Sequence, residues 1–263
     1  NEALKDPQLI AMLGGVAHEP GRTTATGASP RVAAPASSGT RPSQATRSLT
    51  MKSSKLHGTP FALLGVTSRD DRRKIVDQAE HKSLELNPDD CQKARSDLTN
   101  PRNRLAAEIA WLPGVSPRRA SQLLDGLLVD AMAVRGETGL PTLAHCNLLA
   151  AAFEAIPSSY PPEDLAEFIQ ELAVLVDDLD AEEVIRDINE DRTISGFPEV
   201  KAVDQVEAEL LERKRYYRTA IKEALNRLPP EALLGAITAA VDGATFGGEN
   251  HAPELIDELV DGY

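Results

Sequence analysis

The sequence predicts an all-α protein. Only 4% of its residues are aromatic although 41% are apolar, so its core must consist of Leu, Ile, Val and Ala, which suits helix packing. From residue 59 onward, apolar residues recur at spacings of three and four, and no alternating stretch long enough for a strand is present. Proline and capping residues lie where these helical stretches are expected to begin and end. A length of 263 residues allows one large or two small domains.

The N-terminal region differs in composition from the rest. Residues 18–58 are rich in Gly, Pro, Ser, Thr and Ala and hold hardly any large apolar side chains. Such a segment cannot bury enough surface to offset its ordering entropy, so we expect residues 1–58 to form a disordered or non-native tail. Residues 2–13 have the pattern of a short helix. Met51 is a candidate natural start, which would make the residues before it an artefact or a tail.

The first long helix is predicted over residues 68–86. Ser68 is a suitable N-cap, and the acidic residues that follow it favour the helix macrodipole. Proline at position 88 ends the helix. One face carries residues at helical spacing, with Lys82 contributing its aliphatic stem: Ile75, Ala79, Lys82 and Leu86.

A second helix is predicted from about Asp89 to Leu98. It is broken or restarted at Thr99-Asn100-Pro101, because proline has no N–H to donate and disfavours helix in the residue before it. An apolar stripe then continues through Leu105, Ile109 and Leu112 to a stop at Pro113-Gly114.

The remainder of the chain predicts a further set of helices. Ser116-Pro117 is a strong helix start, Asp180 is a good cap, and Pro229-Pro230 separates two helices. The helices that follow the one starting at Pro117 are expected at about 142–156, from 162, from 180 to 189, 199–228, 231–241 and 253–260.

Three short motifs resemble the J-domain of DnaJ-type co-chaperones. Pro60–Val66 is similar to the family's opening segment, and Leu98-Thr99-Asn100-Pro101 with Arg104 is similar to the end of its third helix. Asn87-Pro88-Asp89 stands where the family has His-Pro-Asp. The resemblance covers about residues 59–113. It implies a J-like helical hairpin domain at 59–115, followed by an acidic multi-helix domain at 116–263.

The resemblance also implies a protein partner, namely a heat-shock ATPase chaperone. In the family the signature tripeptide and the basic second helix engage it; the residues implied here are Arg72, Arg73, Lys74, Asn87, Pro88, Asp89 and Arg104. Asparagine lacks the imidazole's charge and its two ring nitrogens, and five acidic residues offset the basic ones on the second helix. Alternatively, the tripeptide is a plain turn with Asp89 as cap, and Arg104 is a solvated arginine after a helix restart.

Charge is distributed unevenly along the chain. Residues 1–58 carry seven basic against three acidic residues, residues 59–119 eleven against nine, and residues 120–263 ten against twenty-nine. Residues 120–263 thus carry a net charge of −19, which repels a phosphate backbone. A basic protein is therefore a more suitable partner than nucleic acid. A basic-aromatic cluster at 213–218 is either a contact for an acidic partner or nucleic acid, or a solvated helix face.

No cofactor, metal or catalytic residue is predicted. The five histidines are scattered, the two cysteines do not form a disulfide framework, and the loop 243–248 lacks the Lys-Ser/Thr of a phosphate loop. No apolar run is long enough to span a membrane, and we expect a cytoplasmic protein. Two functions fit: a co-chaperone or chaperone-linked adaptor without its own activity, or a scaffold or regulatory interaction module that keeps a degenerate J fold.

Overall fold

Helices joined by short connections make up the part of the chain that the structure describes. The computed structural model describes residues 54–248 and 250–262, and within these ranges the fold is all-α, with no strand. The helices are α1 (Pro60–Leu64), α2 (Arg72–Lys82), α3 (Pro88–Thr99), α4 (Pro101–Ile109), α5 (Pro117–Val129), a 3-10 helix (Ala131–Gly136), α6 (Thr142–Phe153), α7 (Pro162–Asp177), α8 (Ala181–Ser195), α9 (Val203–Leu225), α10 (Pro230–Thr245) and α11 (Glu254–Val260). None of them combines the length and apolar content needed to cross a bilayer.

The break between α3 and α4 lies where the sequence predicts it. Asn100 is the C-terminal residue that ends α3 and also the N-cap of α4, where its side chain accepts a hydrogen bond from the N–H of Arg102 at 3.0 Å. Pro101 occupies the first helical position, where its missing N–H costs nothing. The two helices are therefore separate elements with a fixed bend between them.

Helix α2 starts later and ends earlier than predicted. Its N-cap is Asp71, whose side chain accepts from the N–H of Lys74 at 2.8 Å, and not Ser68. Ser68 is buried, and its hydroxyl donates to Asp191 at 2.6 Å. Because α2 ends at Lys82, Leu86 leaves the apolar face and is exposed.

Helix α6 lies at the centre of the fold. All its residues from Cys146 to Phe153 are buried, as expected for a helix that is apolar all round. Phe153 stacks on Phe168 of α7 with ring centroids 3.9 Å apart. Helices α7 and α9 and the 3-10 helix pack around α6, so the core is layered helix on helix.

Helices α8 and α9 differ from the predicted ranges for a local reason. Helix α8 continues past Asn189 to Ser195 and ends at Gly196, whose φ of 72° suits glycine. The Asn189 side chain accepts from the N–H of Val200 at 2.7 Å and donates to its carbonyl at 2.9 Å. These bonds hold the connection outside helical conformation, so α9 begins only at Val203.

One buried apolar cluster runs from Leu56 to Leu259, and all the described residues fall within a single compact unit. A second cluster joins α4, α8 and α9. The division at residue 115 stays a prediction; Trp111 and Val115 share the larger cluster with α5 and α6. The predictions for residues 1–53 lie outside the described residues. For residues 54–58 the expectation of disorder is wrong, because Leu56 is buried in the core.

Candidate protein-binding surface

Helices α2 and α3 form an antiparallel hairpin. The Nη2 atom of Arg72, the first residue of α2, donates to the carbonyl of Thr99, the last residue of α3, at 2.7 Å. Residues 83–87 make the turn at the other end. Ile75 and Ala79 of α2 and Cys91, Ala94 and Leu98 of α3 are buried. The hairpin therefore has a buried apolar inner face, and most residues of its turn are exposed.

The tripeptide Asn87-Pro88-Asp89 begins α3 at this turn. Asn87 is the N-cap, and its side-chain oxygen accepts from the N–H of Asp89 at 2.9 Å. Pro88 occupies the first helical position, and all three residues are exposed. The cap of α3 is thus Asn87, whereas the turn interpretation had assigned this role to Asp89. Because all three residues are exposed, the tripeptide remains accessible to a partner.

The basic residues at the start of α2 lie at the opposite end of the hairpin. Arg73 is 89% exposed in its side chain and pairs loosely with Asp77 at 3.9 Å, whereas Lys74 pairs with Asp70 at 2.7 Å. From Lys74 to the end of α2 at Lys82 the helix advances about 12 Å, at about 1.5 Å per residue. The basic residues and the Asn-Pro-Asp tripeptide therefore lie at opposite ends of the hairpin. The predicted partner-binding residues do not form one compact patch.

The turn end itself carries more negative than positive charge. Glu85, Asp89 and Asp90 are exposed there, and Lys82 pairs with Glu85 at 3.3 Å. A partner that docks on this end meets the Asn-Pro-Asp backbone and carboxylates, and not the basic surface that the resemblance implies.

Arg104 is the predicted site residue that the structure places inside the protein. Its side chain has no exposed area, and Nη1 and Nη2 donate to the carbonyls of Leu98 at 3.1 Å and Ser68 at 2.9 Å. Its guanidinium lies 3.6 Å from the centroid of the Phe197 ring, a cation–π contact. Burial lowers its pKa from the ordinary arginine value. Both predictions for Arg104, a partner contact and a solvated arginine, are therefore wrong.

Glu108 is the counter-ion of this arginine. Its Oε1 accepts from Arg104 Nε at 2.7 Å, and its Oε2 accepts from Arg192 Nε and Nη2 at 2.9 and 2.7 Å. All three side chains are at least 96% buried. They form an Arg–Glu–Arg triad that connects α4 to α8.

Asp191 makes a second buried connection beside the triad. Its Oδ1 accepts from Arg69 Nε at 2.7 Å, and its Oδ2 accepts from the Ser68 hydroxyl at 2.6 Å and the Gly114 N–H at 2.9 Å. The residues before α2 and after α4 are thus fixed to the same position of α8. The hairpin is held rigidly on the rest of the protein by these polar contacts.

Asn147 joins α6, α9 and the end of α4 in the same manner. Its amide donates to the carbonyls of Ile109 at 2.8 Å and Trp111 at 2.5 Å. Its oxygen accepts from Tyr217 at 2.7 Å and from Arg213 Nε at 3.0 Å. The sequence did not predict the hydrogen bonds of Asn147 or the triad. The one sequence signal for either was a charged or amide residue on an otherwise apolar helix face.

The basic-aromatic cluster at 213–218 mainly serves contacts within the chain. Arg218 pairs with Glu258 at 2.6 Å and Lys214 with Glu254 at 3.8 Å, which fixes α11 on α9. Tyr217 is completely buried and Arg213 is bound to Asn147. The interpretation as a solvated helix face is therefore wrong for Tyr217 and Arg213. The alternative of a contact with an acidic partner or nucleic acid stays a prediction.

Neither cysteine is exposed, and His145 is half-buried. Cys91 and Cys146 are buried and free, and burial raises the pKa of Cys146 to about 12. Burial lowers the pKa of His145, while Glu171 and Glu137 act in the opposite direction. No group of three or more His, Cys, Asp or Glu in the described part of the chain is arranged to hold a metal ion.

No family model, curated protein or solved structure matches the chain. The J-like resemblance of residues 59–113 accordingly depends on the three motifs and not on a relative. What the structure adds is the geometry of those motifs: an exposed tripeptide at a hairpin turn, a restarted helix and a buried arginine.

Proposed function

We propose that the chain is a chaperone-linked adaptor that docks a heat-shock ATPase chaperone through the turn end of its α2–α3 hairpin and carries no chemistry of its own. One observation carries the proposal: Asn87-Pro88-Asp89 stands exposed at the turn of an antiparallel hairpin. The tripeptide position of the J-like pattern is thus open to a partner, while the hairpin behind it is anchored by Glu108 and Asp191.

Direct binding is the first test. Full-length protein is titrated against a purified heat-shock ATPase chaperone in the presence of ATP, and the dissociation constant is measured by calorimetry. Asp89→Asn removes the exposed carboxylate of the tripeptide, and Asp125→Asn makes the same change on the exposed surface of α5. We expect only Asp89→Asn to weaken binding. Equal affinities for the two variants, or no binding by the wild type, would exclude docking through the turn.

A second candidate, a scaffold that keeps the hairpin but has lost the chaperone contact, is favoured by specific residues. Asn87 cannot supply an imidazole, and its side-chain oxygen is already engaged as the cap of α3. Arg73 and Lys74 lie at the far end of the hairpin from this tripeptide. If the protein binds the chaperone without stimulating its ATPase, the result agrees with an adaptor. If it neither binds the chaperone nor stimulates the ATPase, the result agrees with a scaffold.

Asn87→His separates the two candidates. If the chaperone contact is retained, restoring the imidazole should raise the steady-state ATPase rate of the chaperone above that with the wild type. Loss of the asparagine cap should cost about 1 kcal/mol of stability, so circular dichroism of the variant confirms that α3 remains folded. A folded Asn87→His protein that neither binds the chaperone nor stimulates its ATPase would reject the adaptor and favour the scaffold candidate.

A further inference from the structure

A concavity lies between α8 and α9, and none of its lining residues belongs to the hairpin turn. A groove with a volume of about 410 Å³ is formed where α8 begins beside the first half of α9. Five aliphatic side chains and four charged ones line it: Leu179, Ala181, Val203, Leu210 and Leu211, and Asp180, Glu182, Glu207 and Lys214. We call this the α8–α9 groove.

The floor of the groove exposes aliphatic surface. Leu211 is 52% exposed and Val203 38% exposed, whereas Leu210 is buried in the cluster shared with Val184 and Ile188. Exposed leucine and valine in a concavity, continuous with a packed core, are suited to seating an apolar side chain of another molecule.

The rim of the groove carries uncompensated negative charge. Glu182 and Glu207 are exposed, and neither has an ion pair or side-chain hydrogen bond among the described residues. Asp180 is partly satisfied as the cap of α8, accepting from the N–H of Glu183 at 2.9 Å. The one cation, Lys214, is paired with Glu254 at 3.8 Å. Two lining carboxylates, Glu182 and Glu207, are therefore without an ion-pair partner among the described residues.

We propose that the α8–α9 groove binds a basic amphipathic helix of a partner protein. Its aliphatic residues would lie on Leu211 and Val203, and its lysines or arginines would face the carboxylates of the rim. Amphipathic helices bind in apolar grooves in this way, and complementary charge fixes their register. A nucleic acid or an anionic lipid surface would be repelled by the same carboxylates. The proposal uses no hairpin residue, so it holds or fails independently of the chaperone contact.

The first experiment uses two designed peptides and the full-length protein. A fluorescein-labelled helix with leucine on one face and lysine on the other is titrated with protein, and fluorescence anisotropy reports binding. Its counterpart has glutamate in place of every lysine. We expect binding of the lysine peptide alone. No binding of the lysine peptide up to about 1 mM protein, or equal binding of both peptides, would overturn the proposal.

Variants then distinguish the groove from the overall negative charge of the protein. Glu182→Lys with Glu207→Lys should weaken binding about tenfold or more, because like charges then face the peptide. The matched control, Glu231→Lys with Glu190→Lys, makes the same change in net charge at one first-turn and one mid-helix position that are exposed and away from the groove. Equal weakening by both pairs would show binding to general charge and would refute the groove.

A neutral substitution tests the apolar floor. Leu211→Gln removes aliphatic surface without a change in charge and should weaken the binding of the lysine peptide severalfold. Leu234→Gln is its control, because Leu234 is exposed on α10 and does not line the groove. Circular dichroism checks that each variant is folded. An unchanged affinity for folded Leu211→Gln would overturn the assignment of the groove.

Discussion

Glu108 is the residue whose removal should damage the fold most. Glu108→Gln keeps the size of the side chain but removes the charge that neutralises two buried guanidinium groups. The three hydrogen bonds that the carboxylate accepts are 2.7–2.9 Å long. Breaking a buried ion pair by removing one partner costs about 3–5 kcal/mol, because the other charge is left uncompensated. We expect a loss of that size for Glu108→Gln.

The single tryptophan makes this loss measurable. Trp111 is 2% exposed and stacks on Phe61 with ring centroids 5.5 Å apart, so its fluorescence reports unfolding of the region next to the triad. For a urea dependence of about 1–3 kcal/mol per molar, the expected loss of about 3–5 kcal/mol moves the unfolding midpoint to lower urea by roughly 1–5 M.

A matched exposed pair provides the control. Glu212 pairs with Arg215 on the surface of α9, with both side chains more than half exposed, and Glu212→Gln should cost less than about 1 kcal/mol. If Glu108→Gln moves the midpoint no further than Glu212→Gln does, the triad does not stabilise the protein and our account of Arg104 is wrong.

Three further predictions concern other buried or half-buried groups. Asn147→Leu should lower the free energy of unfolding, measured in urea, by about 3 kcal/mol or more, because Arg213 and Tyr217 lose their hydrogen-bond acceptor. Tyr217→Phe should lower it less in the Asn147→Leu protein than in the wild type. Burial lowers the pKa of His145, so the unfolded chain binds the proton more readily and stability falls as pH drops below about 6.5. His145→Gln should reduce that fall between pH 7.5 and 5.5, and an identical fall would refute it. Buried Cys146, with a pKa of about 12, and buried Cys91 should resist a thiol reagent at pH 8 until urea is added; rapid labelling of the native protein would contradict this.

Local sequence signals predicted several helix starts. Proline at 101, 117 and 162 and the cap at Asp180 each lie at a helix start in the structure. These signals are reliable because a missing N–H or a capping oxygen acts within one turn of the chain. Positions governed by distant partners were not predictable in this way.

Ser68 illustrates the limit. It has the sequence context of an N-cap, yet its hydroxyl bonds to Asp191, 123 residues further along the chain, and Asp71 caps α2 instead. Arg104 is a similar case, since its burial depends on Glu108 and on Phe197. No local pattern specifies such pairings, and the α8–α9 groove was not predictable because it needs the relative placement of two helices.

The attachment of the hairpin to α8 sets an order of events during synthesis. The N–H of Gly114 bonds to a carboxylate 77 residues later in the chain, which a ribosome reaches after about 4–15 s at about 5–20 residues per second. Throughout that interval Arg69 lacks its partner Asp191, and Glu108 has Arg104 beside it but not Arg192. A protein cut after residue 115 would stay permanently in this incomplete condition, so the hairpin should be studied only within the intact chain.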